Sequence, residues 1–144
     1  MKNNVNVIIN SIHSSEYGKD TMQVNAEGTY YSKNGKHYIC YKETDEESGE
    51  ISNSLLKVWE NSAEMIKRSS GGTTRLHFEE GKLNNTYLQT VMGKLFAGVD
   101  TKHIEAAKEN DMFKIIIEYS LIIEGEKTSD CKVEVLVKDM DLGN

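Results

Sequence analysis

The chain has no proline, two cysteines, one tryptophan, two arginines and no long hydrophobic run in its 144 residues. Nothing approaches the roughly 20 consecutive apolar residues that a membrane helix needs, which excludes a helical span. The start, Met1 to Asn10, carries one lysine and a broken apolar stretch, a poor match to a signal peptide. Cys40 and Cys131 lie far apart, with no C-x-x-C pair and no Cys/His metal spacing. Two such cysteines are most simply reduced thiols in a reducing compartment, so the expected location is the cytoplasm. No Lys/Arg-rich stretch interleaved with aromatics occurs. The balance is acidic, 23 Asp and Glu against 17 Lys and Arg, which works against a nucleic-acid backbone as partner.

What is present is regular. With 38% hydrophobic residues in a repeating pattern the chain is not disordered, and its length fits one domain over residues 1–144. Period-two alternation punctuated by glycine turns runs from end to end. It predicts strands over Val5–Ile12, Met22–Tyr31, His37–Glu43, Ile51–Trp59, Ala63–Ser69, Thr74–Glu79, Leu83–Thr90, Lys94–Ile104, Met112–Ile123 and Thr128–Lys138. Thr101–Asn110 competes as helix but lacks a sustained apolar stripe, so one turn at most is expected there.

Turn chemistry fixes some pairings. Asn34-Gly35 between two alternating runs predicts a type I′ hairpin, which sets Tyr31 opposite Tyr38, Glu27 opposite Lys42 and Gly28 opposite Tyr41. At the last hairpin, a two-residue turn at Gly125-Glu126 would set Ile117, Tyr119 and Leu121 against charged residues. A longer loop centred on Gly125 instead pairs Ile115 with Val135, Ile117 with Val133, Tyr119 with Cys131 and Glu118 with Lys132. A one-residue slip would turn every side chain to the wrong face, so the longer loop is preferred. Cys131 then reads as a small buried hydrophobe. Many antiparallel strands must dispose of their edges, and closure into a barrel does so. Gly28 inside a strand suits the bend that a barrel needs. The expected fold is all-β, a single antiparallel barrel of eight to ten strands, with a sandwich as the competing architecture.

The run from Tyr30 to Glu43, with Asn34-Gly35 at its tip, resembles the second hairpin of the YwiB-like family of small uncharacterised bacterial proteins. Arg68 to Arg75 followed by Phe78-Glu79-Glu80-Gly81-Lys82 is similar to the same family, as is Tyr87-Leu88-Gln89-Thr90 with Gly93 after it. The resemblance covers almost the whole chain. It implies a calycin-type barrel, the broad architecture of lipocalins and fatty-acid-binding proteins, and no known activity, substrate or catalytic residue. The only tryptophan, Trp59, is not in the G-x-W motif of true lipocalins.

Signals of chemistry are sparse. Arg68 and Arg75 bracket Ser69-Ser70-Gly71-Gly72-Thr73-Thr74. With Gly71-Gly72 at the tip, the arginines stand opposite each other, a fork pair for an anion or an ordinary solvated outer face. The same register turns Ala63, Met65, Leu76 and Phe78 to the other face. His13, His37, His77 and His103 are scattered over separate strands, and His77 with Glu79 offers at most two metal ligands. No nucleophile elbow, phosphate loop or cofactor motif occurs, and acidic pairs such as Glu46/Glu47 sit at turns. Met22, Val24, Tyr30, Ile39, Tyr41, Met65, Leu76, Phe78, Ile115, Ile117, Tyr119, Val133 and Val135 are expected to face inward. The leading expectation is a barrel that takes a small, partly apolar ligand. Tyr30, Tyr41, Phe78 and Tyr87 are its candidate wall, and Arg75 with Arg68 the candidate partners of an anionic group. The alternative is a filled barrel that works through an outer patch such as Tyr31 and Tyr38. No catalytic or metal residue is assigned.

Overall fold

Alternating apolar and polar positions give each strand one dry and one wet face. In the computed structural model, which describes residues 4–45, 47–90 and 92–140, they assemble into one curled antiparallel sheet. Its strands among the described residues are β1 (Asn4–Ser15), β2 (Gly18–Lys33), β3 (Lys36–Thr44), β4 (Ile51–Trp59), β5 (Ser62–Ser69), β6 (Gly72–Glu79), β7 (Leu83–Thr90), β8 (Gly93–Glu109), β9 (Met112–Ile123) and β10 (Glu126–Asp139). The spatial order is β6-β5-β4-β3-β2-β1-β10-β9-β8-β7, so the first and last strands pair in the middle.

The end strands, β6 and β7, come together without a ladder among the described residues. The Thr86 hydroxyl donates to the Arg75 carbonyl at 3.0 Å. The turn between β6 and β7 is tied down from both sides. Glu80 N–H donates to Asn61 O (2.9 Å), Gly81 N–H to Thr101 O (2.9 Å), and Thr101 N–H to Lys82 O (3.1 Å). The result is a nearly closed barrel, as expected. Turns at 34–35, 60–61, 80–81 and 110–111 form its first rim. Turns at 16–17, 47–50, 70–71 and 124–125 lie at the second.

The interior is one continuous cluster that includes Val5, Val7, Tyr30, Ile39, Leu56, Phe78, Ile115, Ile117, Val135 and Val137. Ring contacts tie its walls together: Phe78 meets Tyr119 at 5.0 Å and Tyr30 meets Phe113 at 5.9 Å.

The first hairpin has the expected register. Asn34 and Gly35 both have positive φ (53° and 78°), and Tyr31 pairs with Tyr38 and Gly28 with Tyr41. A Cβ at position 28 would collide with the Cys40 carbonyl oxygen, so glycine allows the two strands to approach this closely. The last hairpin has the expected pairs from Ile115–Val135 to Tyr119–Cys131, reached by a different device. Its tip is a two-residue turn, Glu124-Gly125, with both φ positive. A bulge between Lys127 and Ser129 then shifts the ladder by one residue.

Two expectations are corrected. β8 continues as strand to Glu109, with no helical turn, because its ladder with β9 runs on through Ala106↔Ile115 and Lys108↔Phe113. Pairing with an apolar neighbour overrides a weak local helix propensity. In the β5–β6 hairpin the tip is Ser70-Gly71, so Arg68 faces Thr73 and Arg75 faces Ile66. Ser70 is pinned there by the Glu50 carboxylate, which accepts from its N–H at 3.0 Å and from its hydroxyl at 2.6 Å. The shift is even, so Ala63, Met65, Leu76 and Phe78 keep the inward face.

Candidate functional site

The inner face is more fully covered among its core residues near the first rim than toward the second. At the first rim Val5, Val58, Ala63 and Phe113 are buried. Toward the second, residues on the same inner face pass from buried to open. Val24, Met65, Leu76 and Leu121 touch the core but stay partly exposed, and Met22, two residues along β2 from Val24, is 63% exposed. Met22 was expected to be covered; it lies on the β1–β2 arm, where both faces of β2 between Gly18 and Met22 are exposed. Apolar side chains of the inner face are thus left partly uncovered at this rim, and we refer to this end of the barrel as its mouth.

Polar groups line it. On the β3–β5 side, Glu43 and Lys67 pair across the rim at 3.8 Å. Below them the Tyr41 hydroxyl, hydrogen-bonded to Ser54, is pushed up to about 12 by burial and then by the Glu43 carboxylate. On the opposite side a polar row crosses five strands. Thr101 stands opposite Tyr119, Tyr119 opposite Cys131, Cys131 opposite His13 and His13 opposite Asp20. His13 Nδ1 lies 3.2 Å from Cys131 Sγ, and Ser129 Oγ lies 3.5 Å from the same sulfur. Burial and the adjoining Cys131 raise the Tyr119 hydroxyl well above the ordinary tyrosine value.

At the deep end of this row two polar groups on the inner β7–β8 wall are buried without a hydrogen-bond partner among the described residues, Thr101 Oγ1 and Asn84 Nδ2. Asn84 pairs with Val99, two residues before Thr101 on the same face. Orphaned buried donors are costly in an empty protein and mark a place where a polar atom of a guest or a water fits.

Of the residues proposed as a wall, Tyr41 lies on the inner face below this mouth, and Phe78 is interior, opposite Ala63 near the first rim with its ring against Tyr119. Tyr30 is also interior but belongs to the first rim, where its hydroxyl and His37 Nδ1 lie 2.7 Å apart. Burial, and then the charge of Lys108, lowers the His37 pKa. A cleft of about 390 Å³ that includes Gly28, Cys40, Asn53 and Arg68 lies on the outside, and one of about 290 Å³ between His37, Trp59, Asn61 and Ile104 opens at the first rim. Tyr87 lies outside and 61% exposed, edge-on to Phe96, because Ala97 and Val99 hold the inner positions of that ladder. The arginines are also outside. Arg75 pairs with Glu64 at 3.3 Å, and Arg68 stands opposite Asn53, so they do not form a fork.

The four histidines are each hydrogen-bonded. His77 meets Glu79 at 3.2 Å and His103 meets Glu80 at 3.0 Å. Among the described residues no group of three or more His, Cys, Asp or Glu side chains is arranged to hold a metal ion. The pair Glu46/Glu47 falls partly outside the described residues. The His13–Cys131 contact and the orphaned donors were not anticipated. The β1–β10 pairing that makes the contact joins residues 118 apart, and no turn sets its register.

Similarity to known proteins agrees with the architecture. No curated protein matches the chain. The crystal structure of the ywiB protein from Bacillus subtilis superposes with a TM-score of 0.81, over 95% of this chain and 92% of that one, at 18% identity. At that identity the likeness speaks for the fold alone. A family model described as a domain of unknown function, DUF1934, matches residues 7–135, and the chain belongs to that family.

Proposed function

We propose that this barrel takes up a small, partly apolar molecule through the mouth at its second rim. The observation that carries this reading is the graded exposure of the inner face, where Val24, Met65, Leu76 and Leu121 are half-covered and no described residue completes their burial. Inward apolar side chains left wet are a standing cost that a guest would remove. The orphaned Thr101 hydroxyl and Asn84 amide fit an oxygen acceptor on that guest. The ligand is thus a short apolar body with one carbonyl or carboxylate oxygen.

We place the protein in the cytoplasm and outside nucleic-acid and membrane chemistry. The two cysteines are free thiols and the pI is about 5.2. Among the described residues no helix is long and apolar enough to cross a membrane.

One observation favours a second reading. Tyr31 and Tyr38 stack on the outer face at 4.6 Å and 8° between ring planes, with Tyr31 47% exposed. Aromatic pairs of this kind anchor protein partners.

Native mass spectrometry of protein purified gently from its own cells tests the first reading. Expected is a one-to-one adduct in the native mass that is absent from the Met65→Trp variant, whose larger side chain fills the mouth. A bare mass for the wild type, or an adduct that survives Met65→Trp, overturns it.

A further inference from the structure

We propose that Cys131 and His13 form a nucleophilic thiol site in the wall of the mouth, and that the molecule it takes is an apolar α,β-unsaturated carbonyl compound. This rests on the reading of the mouth and adds to it a chemical class of ligand.

Cys131 is a free thiol on the inner face, 4% exposed, among apolar neighbours. A buried free cysteine ordinarily behaves as a small hydrophobe with a weak S–H donor. This one touches His13 Nδ1 at 3.2 Å and Ser129 Oγ at 3.5 Å, and it hydrogen-bonds the Tyr119 side chain. With the proton of His13 on Nε2, Nδ1 is free to accept the thiol proton. Thr101, fully buried in the same cross-strand row, supplies an independent observation. Its hydroxyl faces the interior with no partner, as does Asn84 Nδ2 beside it. The row therefore holds a nucleophile with its base at one place and, two strands away, an unused hydroxyl donor for an oxygen.

The step needs no oxidant and no leaving group. The thiol proton passes to His13 Nδ1. The sulfur pair then bonds to the β-carbon of the unsaturated carbonyl, and the carbon–carbon π pair moves to form an enolate. The imidazolium returns the proton to the α-carbon, so the product is the neutral thioether and His13 is regenerated. An apolar interior suits this chemistry, because it admits the carbon body of the electrophile and excludes competing water.

N-Ethylmaleimide belongs to this class and serves as the probe. In a Cys40→Ser protein Cys131 is the only thiol, and intact mass follows its alkylation. Expected is one adduct in the folded state, slowed at least about tenfold by His13→Asn, with equal rates for both proteins in guanidinium chloride. His13→Gln provides the same comparison should His13→Asn fail to fold. A Cys131 that reacts only when unfolded, or that reacts equally fast with and without His13, overturns the proposal. The mouth itself is judged by bound mass and by Met65→Trp, so either idea can fail while the other stands.

Discussion

The imidazole of His13 and the thiol of Cys131, 118 residues apart in sequence, meet at 3.2 Å across the β1–β10 ladder. That ladder joins the two ends of the chain in the middle of the sheet. The contact therefore exists only once β1 has paired with β10, and a reagent that reports on it also reports on that long-range pairing.

Thr101→Val is expected to stabilise the empty protein. The hydroxyl is fully buried and unpartnered, and valine replaces it with a methyl of nearly the same shape. Removing an unsatisfied buried polar group should gain about 1 kcal/mol, seen as a higher urea midpoint at unchanged slope. A loss of stability would mean that the hydroxyl has a partner in solution.

Gly28→Ala should destabilise by about 1–3 kcal/mol, because its methyl group runs into the backbone carbonyl of Cys40, which cannot swing aside as a side chain could. Gly35→Val should also lower the urea midpoint, since φ at that position is 78°. The two costs have different origins, collision and backbone conformation. Gly35→Asn should therefore recover much of the loss at the turn, whereas no larger residue is tolerated at position 28.

Arg68→Ala combined with Arg75→Ala should leave the fold intact. Both side chains are on the outer face, and Arg75 makes one ion pair while its own side chain is 53% exposed. Glu64 keeps Lys57 at 3.7 Å. Loss of an exposed pair costs under about 1 kcal/mol, so circular dichroism melting should change little. Unfolding of the double variant would place these residues inside.

Two histidines should bend the pH dependence of stability in opposite directions. Burial holds the His37 pKa below its ordinary 6.5, so between the lowered value and 6.5 the unfolded chain binds more protons. Its contribution is complete above 6.5 and is lost as pH falls through that window. His103 is raised by its hydrogen bond to Glu105 and by the nearby Glu80. Its contribution is complete below 6.5 and is lost as pH rises through the raised value. Urea midpoints from about pH 5 to pH 8 should show the acid-side decline flattened in His37→Asn and the alkaline-side decline flattened in His103→Asn. Unchanged curves in both variants would contradict this assignment.

Local signals carried most of the fold. Asn34-Gly35 specifies its own turn, and the face assignments of Met65, Leu76, Phe78, Tyr119 and Val133 follow from alternation. Misreadings fell where a non-local contact decides. Glu50 chooses the tip at Ser70-Gly71, a bulge after Lys127 lets a two-residue turn reach the expected last register, and pairing with β9 extends β8 to Glu109. The candidate site was only half legible for the same reason. Tyr41 and Phe78 could be assigned to the inner wall from their own strands. Placing His13 against Cys131, and leaving Thr101 and Asn84 without partners, depends on the closed sheet.

The most direct test of the open mouth is a methyl NMR titration of methionine-labelled protein with 1-anilinonaphthalene-8-sulfonate. Met65 and Met22 lie at the mouth, and Met112 lies beside the first-rim turn at 110–111. The account predicts that the Met65 and Met22 methyl signals move together along one saturable curve while Met112 stays fixed. Movement of Met112 alone, or no movement of Met65, would contradict it.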